Sequence, residues 1–302
     1  MTLNSTFSVS PTRVQPHRRR RPPAVARLAL LATVPALLAV ALGAQATSGP
    51  ALASTIRSSS ALPSSLQEFA NCPVNNPKVN YCLAAASTGT FKINSTTLTE
   101  TSPIKLILGL IGHSNGTYSV VLPDNGRPAM VAPPMNVPGG LLGIPGASGP
   151  IAVTATPQLV GLPTFSLFNL ETTKGTAISL PSDVLLGNAL LGTTCTVGSP
   201  TAPTTLNLTD GKTHPPAPNK PITGSLGSSI KVDKYGVLRV TGTVLVDNSF
   251  AVPGTAGCGP LGILDPIINQ QKGFPSAAGT NTVVLKGSSG LAPASVIRKY
   301  LG

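Results

Sequence analysis

Thirty-one glycines and thirty-one prolines punctuate this chain of 302 residues, and they limit its fold more than any other feature. A glycine in a helix interior costs about 1 kcal/mol and a proline about 3, so long helices are excluded. Charged residues make up only 10% and mean hydropathy is +0.25, which excludes wholesale disorder, a state that needs high charge and little apolar content. Short strands between turn signals satisfy both constraints. The expected fold is all-β and mainly antiparallel, with one or two β-sandwich-like units, short helical turns and disulfide staples.

The first 27 residues hold six arginines (Arg13, Arg18, Arg19, Arg20, Arg21 and Arg27) and no acid, and Leu28 to Leu42 form an apolar run. That pattern is a signal peptide. Small-residue cleavage sites follow at Ala44-Gln45-Ala46 and Ala51-Leu52-Ala53, and the first gives a leader over residues 1–46. An uncleaved span needs roughly 20 apolar residues, whereas this run is shorter and carries Pro35. Pro22-Pro23 after the arginines argues against a twin-arginine signal. Cys72 lies too far on for lipid attachment, and Arg298-Lys299-Tyr300-Leu301-Gly302 is no apolar anchor. The expectation is a secreted, extracellular or cell-wall-associated protein with no stable membrane span after cleavage.

The leader contributes six of the 21 cations and none of the nine acids, so fifteen cations face nine acids afterwards, a charge of +6. Those cations are scattered singly from Arg57 to Lys299, not clustered to track phosphates. Nucleic acid is therefore not an expected partner; anionic cell-wall or extracellular components are.

Residues 47–63 are rich in Ser, Thr, Ala and Pro and read as a flexible lead-in. Residues 64–135 read as an N-terminal β unit. It begins with a helical turn capped by Ser64, then strands at Gly89–Asn94 and Ile104–Ile111. A hairpin follows, Tyr118–Leu122 and Pro128–Ala132, turning at Asn125-Gly126. Asp124, Asn125 and Gly126 lack the alternating acids of a calcium loop. The Gly/Pro-rich stretch 136–150 reads as an interdomain linker or a long surface excursion.

Residues 151–302 read as a C-terminal β-sandwich unit. Strands are expected at Ile151–Thr156, Thr164–Asn169, Thr176–Leu180, Thr204–Leu208, Tyr235–Val246 and Thr282–Lys286, with Gly242 as a bulge. Ser182–Leu191 reads either as a short helix capped by Ser182 or as a strand. "THPPAPNKP", residues 213–221, is an extended connection, and helical turns are expected at Ile263–Gln271 and Pro293–Lys299.

Four cysteines in an exported chain allow three pairings. Proximity favours Cys72 with Cys82, leaving Cys195 with Cys258. The spacings fit no zinc pattern and no mature histidine stands near them, so neither a metal nor any other cofactor is expected.

Gly112-His113-Ser114-Asn115-Gly116 has the letters of a hydrolase nucleophile elbow, with Ser114, Asp183 and His214 as the triad it would need. An elbow requires a strand before the serine and a helix at once after it. Thr117 to Leu122 is β-branched and alternating, so the pentapeptide reads as a turn between antiparallel strands. No His-Gly-Gly-Gly-like oxyanion segment, phosphate loop or tryptophan platform is present. No catalytic residue is expected.

The stretches "LLGTTCTVGS", "LNLTDGKTHPPAPNKPITG", "VDNSFAVPGTAGCGPLG", "GFPSAAGTNTVVLKG" and "CPVNNPKVNYCLAA" resemble a group of secreted actinobacterial proteins without an assigned function. The resemblance spans most of residues 69–287 and implies export and disulfides, but supplies no catalytic residue. The functional expectation is a secreted or wall-associated, non-enzymatic β-rich protein with a binding, adhesion or envelope-structural role. The alternatives are a secreted serine hydrolase using Ser114 and a pore-forming barrel, the latter short of aromatic girdle residues.

Overall fold

The computed structural model describes residues 62–124, 126–144 and 146–301. The expected leader, most of the lead-in and Asn125 of the expected hairpin turn lie outside the described residues. A 3-10 helix, Ser64–Phe69, leads into β1 (Tyr81–Ile93), β2 (Thr96–Gly112), β3 (Tyr118–Val121), β4 (Met130–Val131) and β5 (Met135–Asn136). After a second 3-10 turn come β6 (Thr154–Leu159), β7 (Thr164–Phe165), α1 (Leu167–Thr172), β8 (Ile178–Gly187), β9 (Thr196–Val197) and β10 (Thr204–Leu208). The chain closes with β11 (Ser229–Val232), β12 (Leu238–Asp247), β13 (Thr255–Ala256), a 3-10 turn, α2 (Asp265–Lys272), β14 (Thr282–Pro293) and α3 (Ala294–Leu301).

These strands form two antiparallel sheets, a sandwich-like arrangement. The first has the order β11-β12-β14-β1-β2-β3, with β4 also on β2; the second runs β13-β9-β8-β6-β5, with β7 and β10 also on β8. β8 is the spine of the second sheet, because each of its edges carries two short strands in succession. All described residues belong to one compact unit, Ile56–Gly302.

The expected division into units 64–135 and 151–302 is therefore corrected. β1 takes β14 along its whole length, Tyr81 opposite Pro293 through Lys92 opposite Thr282, so the first sheet is built from both halves. Nor is 136–150 a linker between bodies: Asn136 pairs with Thr154, and Val137 donates to the Val153 carbonyl. A stretch without apolar period still satisfies its backbone by pairing, which composition does not reveal.

Smaller corrections have local causes. β3 and β4 do not pair with each other; both lie along β2, at Gly109–Gly112 and Lys105–Leu106, since a long strand offers more edge than β3 can cover. Thr164–Asn169 is strand only to Phe165, because Ser166 accepts from the Asn169 amide and caps α1. Ser182 caps no helix and sits inside β8. Ser64 makes no capping bond either; Pro63 occupies that position. β1 and β14 extend well beyond their expected bounds, and β11 was not expected.

The first sheet creases where Gly287 pairs with Ser87 on one side and Thr243 on the other. Register irregularities fall at that level in both neighbours, between Ser87 and Gly89 and between Thr241 and Thr243. The expected bulge at Gly242 is one of them, at a backbone φ of 74°.

Alternation along β1 separates two cores. Cys82 and Ala84 face a smaller cluster on the outer side, with Leu66, Phe69, Val79 and Ile297, while Leu83 faces the main core between the sheets. Cys72–Cys82 is one disulfide of this outer layer. Arg298 of α3 tightens it by donating to the carbonyls of Val74, Asn76 and Val79. Arg239 of β12 pairs with Asp233 at 3.1 Å and with Glu68 of the first helical turn.

Candidate functional site

The two sheets do not meet fully. Between them lies a cavity of about 230 Å³ lined almost entirely by carbon. Every second residue of β8 (Ile178, Leu180, Ser182, Val184 and Leu186) faces it, as strand alternation requires. At about 3.3 Å per residue these five positions span roughly 26 Å. The cavity of about 230 Å³ thus lies against the inner face of β8 as an apolar slot between the sheets.

Both long sides of the slot are closed. On one, the chain turns from β4 of the first sheet to β5 of the second through only Ala132, Pro133 and Pro134, and the rings of Tyr118 in β3 and Phe165 in β7 lie 6.2 Å apart. On the other, Thr209, just past β10, and Val246 of β12 exchange backbone hydrogen bonds of 3.0 and 2.8 Å. Covalent and hydrogen-bonded links thus join the two sheets on either side of the cavity.

At one end α2 lies over the slot, and its placement is built from polar contacts. Asp265 at its start accepts from the amides of Gly257 and Cys258, next to the disulfide Cys195–Cys258. Asn269 accepts from the Thr255 amide at 2.8 Å. Asn94, at the tip of the β1–β2 hairpin, donates to the carbonyls of Lys272 and Gly273. So fixed, α2 turns Ile268 inward and sets Gln271 and Lys272 on the cavity wall, beside Val137 and Leu141.

Lys272 is the one charged side chain lining the cavity among the described residues. Its Nζ lies 3.5 Å from the Pro138 carbonyl, and among the described residues no carboxylate pairs with it. Burial pushes its ammonium down from the ordinary lysine value. Also in the cavity lining, the buried Thr204 hydroxyl has no hydrogen-bond partner among the described residues.

The sequence-derived candidates lie elsewhere. Ser114 is exposed in the tight connection from β2 to β3, where His113 and Thr117 join through an amide–carbonyl bond of 2.9 Å and Asn115 Oδ1 accepts from the Thr117 amide. His113 Nε2 contacts Ser119 Oγ at 2.7 Å, not Ser114. Asp183 is buried on the opposite face of β8 from the cavity-lining residues, and burial raises its carboxyl. His214 is exposed in the extended connection after β10. No hydrogen bond joins Ser114, Asp183 and His214 among the described residues, and none of the three lines the cavity. Among the described residues no cluster of three or more His, Cys, Asp or Glu stands ready for a metal ion. No helix there is long and apolar enough to cross a membrane.

Sequence reasoning missed the cavity and Lys272. The alternating apolar positions of β8 were visible, but alternation predicts a buried face without saying whether the opposing face fills it. No protein-family model, curated protein or solved structure matches this chain.

Proposed function

We propose that this is a non-enzymatic binding protein that encloses the hydrocarbon chain of a lipid-like molecule between its two sheets. One observation carries the reading: a slot with a nearly all-carbon wall and a volume of about 230 Å³. Protein interiors are normally packed to crystal density. At about 24 cal/mol per Å³ of unfilled apolar space, a cavity of that size costs roughly 5 kcal/mol. That is a large share of the 5–15 kcal/mol by which domains are typically stable. An apolar ligand recovers this loss, each buried methylene contributing about 0.8 kcal/mol. An engineered apolar cavity of only about 150 Å³ binds benzene.

The leader and the two disulfides support secretion and an extracellular or wall-associated site of action. In that setting a closed apolar slot carries or presents a chain that water will not dissolve. The test is titration of delipidated protein with hexadecanol, followed by displacement of a polarity-sensitive apolar dye and by native mass spectrometry. One chain bound per protein, with a matching rise in Tm, is expected. Absence of saturable binding by folded protein overturns the reading.

A further inference from the structure

The wall of the slot carries a chemical asymmetry. Its polar-to-apolar balance is that of a hydrocarbon site, yet it includes one cation, Lys272. A lysine in the last turn of a helix is favourably placed against the helix dipole, which explains a surface lysine there. It does not explain why this side chain lines an apolar cavity without a carboxylate partner. Ion pairs elsewhere on the fold show the contrast: Arg239, at a comparable depth, has both Glu68 and Asp233.

Three features hold the Lys272 backbone in place. Gly273, at φ 68°, ends the helix directly after it; Asn94 holds its carbonyl and that of Gly273; and Asn269, one turn earlier, is locked to Thr255. The base of the side chain is thus held in place, and its ammonium makes only the weak 3.5 Å contact to the Pro138 carbonyl. Of its three donors, at most one is engaged there.

Gly143, in the loop after β5, lies against Gln271: a Cβ on it would stand 3.2 Å from Nε2. The loop thus packs against a second polar side chain of the cavity wall, next to the lysine in sequence. An amide and an ammonium on the wall of one apolar cavity suit an oxygen-rich anion whose tail runs along the carbon lining.

We propose that the ligand is a single-chain amphiphile with an anionic head, a carboxylate or a phosphate, whose head pairs with Lys272 while its chain lies along β8. This inference rests on the reading of the cavity as an apolar ligand site and adds the identity of the head group. A charge-assisted hydrogen bond in partly desolvated surroundings gives the anion an advantage of about tenfold or more over a neutral head on the same chain. Filling the slot with the alkyl part alone gives no such preference.

The experiment compares hexadecanoate, hexadecyl phosphate, hexadecanol and hexadecyltrimethylammonium on delipidated wild type, Lys272→Met and Lys272→Arg at pH 8 and constant ionic strength. Lys272→Met keeps the length of the side chain and its packing. In wild type both anions are expected to bind about tenfold or more tightly than the alcohol, and the cationic chain to bind weakest. In Lys272→Met the anions fall to the level of the alcohol on the same variant, and Lys272→Arg keeps the preference. The tighter of the two anions identifies the head as carboxylate or phosphate. Equal binding of anion and alcohol by wild type, or a preference that persists in Lys272→Met, overturns the inference and leaves the apolar site standing. Failure of all four chains to bind overturns the apolar site itself.

Discussion

Gly287 of β14 sits against the Ala86 carbonyl of β1, so closely that a Cβ added to it would stand 2.1 Å from that oxygen. Gly89 stands in the same relation to the Val284 carbonyl, at 2.0 Å. Two bare backbones thus approach across the crease of the first sheet, and no flexible side chain can yield there. Gly287→Ala is expected to lower stability by about 2–3 kcal/mol, through a backbone shift of the kind overpacking enforces. Gly112→Ala is the control. Its Cβ would meet the Tyr118 ring at 3.5 Å, an ordinary contact, and its effect stays within about 0.5 kcal/mol. Urea unfolding of the three proteins checks the pair; equal stabilities would remove the crease as a structural requirement.

Ala155 of β6, 2% exposed, faces the slot. Enlarging it to leucine places carbon where the cavity now stands. The ligand-free protein is expected to gain about 0.5–2 kcal/mol, as cavity-filling changes commonly do, while its affinity for hexadecanol drops. Opposite signs in the two measurements, Tm without ligand and dye displacement, separate a site from a packing defect. Loss of stability together with unchanged affinity would count against the slot as the seat of binding.

Asp210 is buried, and among the described residues neither carboxyl oxygen has a hydrogen-bond partner on another residue. Burial raises its carboxyl above the ordinary value, with its own backbone amide pulling the other way. A folded carboxyl that titrates above its unfolded counterpart, near 3.9, stabilises the fold fully below that pH. The contribution is lost as pH rises through the raised folded value. Asp210→Asn is therefore expected to be more stable than wild type at pH 7, with the advantage shrinking as pH falls toward 4. Thermal unfolding at both pH values reads the difference; an advantage independent of pH would show that ionisation is not its cause.

The disulfides close loops of unequal length, with sequence separations of 10 for Cys72–Cys82 and 63 for Cys195–Cys258. In the chain-entropy account the shorter contributes about 3 kcal/mol and the longer about 4. Replacing each pair with alanines is expected to cost stability in that order. The longer one has a second effect: Asp265, which seats α2, takes its hydrogen bonds from Gly257 and Cys258, so chain binding weakens as well. Replacing Cys72 and Cys82 leaves binding intact, since that bridge sits in the outer layer.

Much of the fold was legible because it rests on local patterns. The alternation of Val237 to Val246, the bulge at Gly242, the turn around Ser114 and the pairing of the four cysteines all depend on near neighbours in the chain. What the sequence hid depends on distant ones. That β1 lies against β14 follows from neither strand's pattern, because both read simply as half-buried. The slot is hidden for the same reason: it is a property of two faces that fail to interlock. Lys272 reads as an ordinary lysine near a helix end until Asn94, some 180 residues away, is seen to hold its backbone in place. Ser114 drew attention through its letters, whereas Lys272 stands out only by its surroundings.

The pairing of β14 between β1 and β12 also sets an order in time. β14, at the centre of the first sheet, leaves the ribosome about 170 residues after β2, or roughly 10–30 s later at ordinary synthesis rates. Until then β1 and β2 form a hairpin with one bare edge and an uncovered apolar face. That is the kind of edge along which chains join one another. Completion of the sheet must wait for β14, and with it the closing of the interior. The long-range pairing of β1 with β14 therefore keeps the first sheet open until β14 itself has been made.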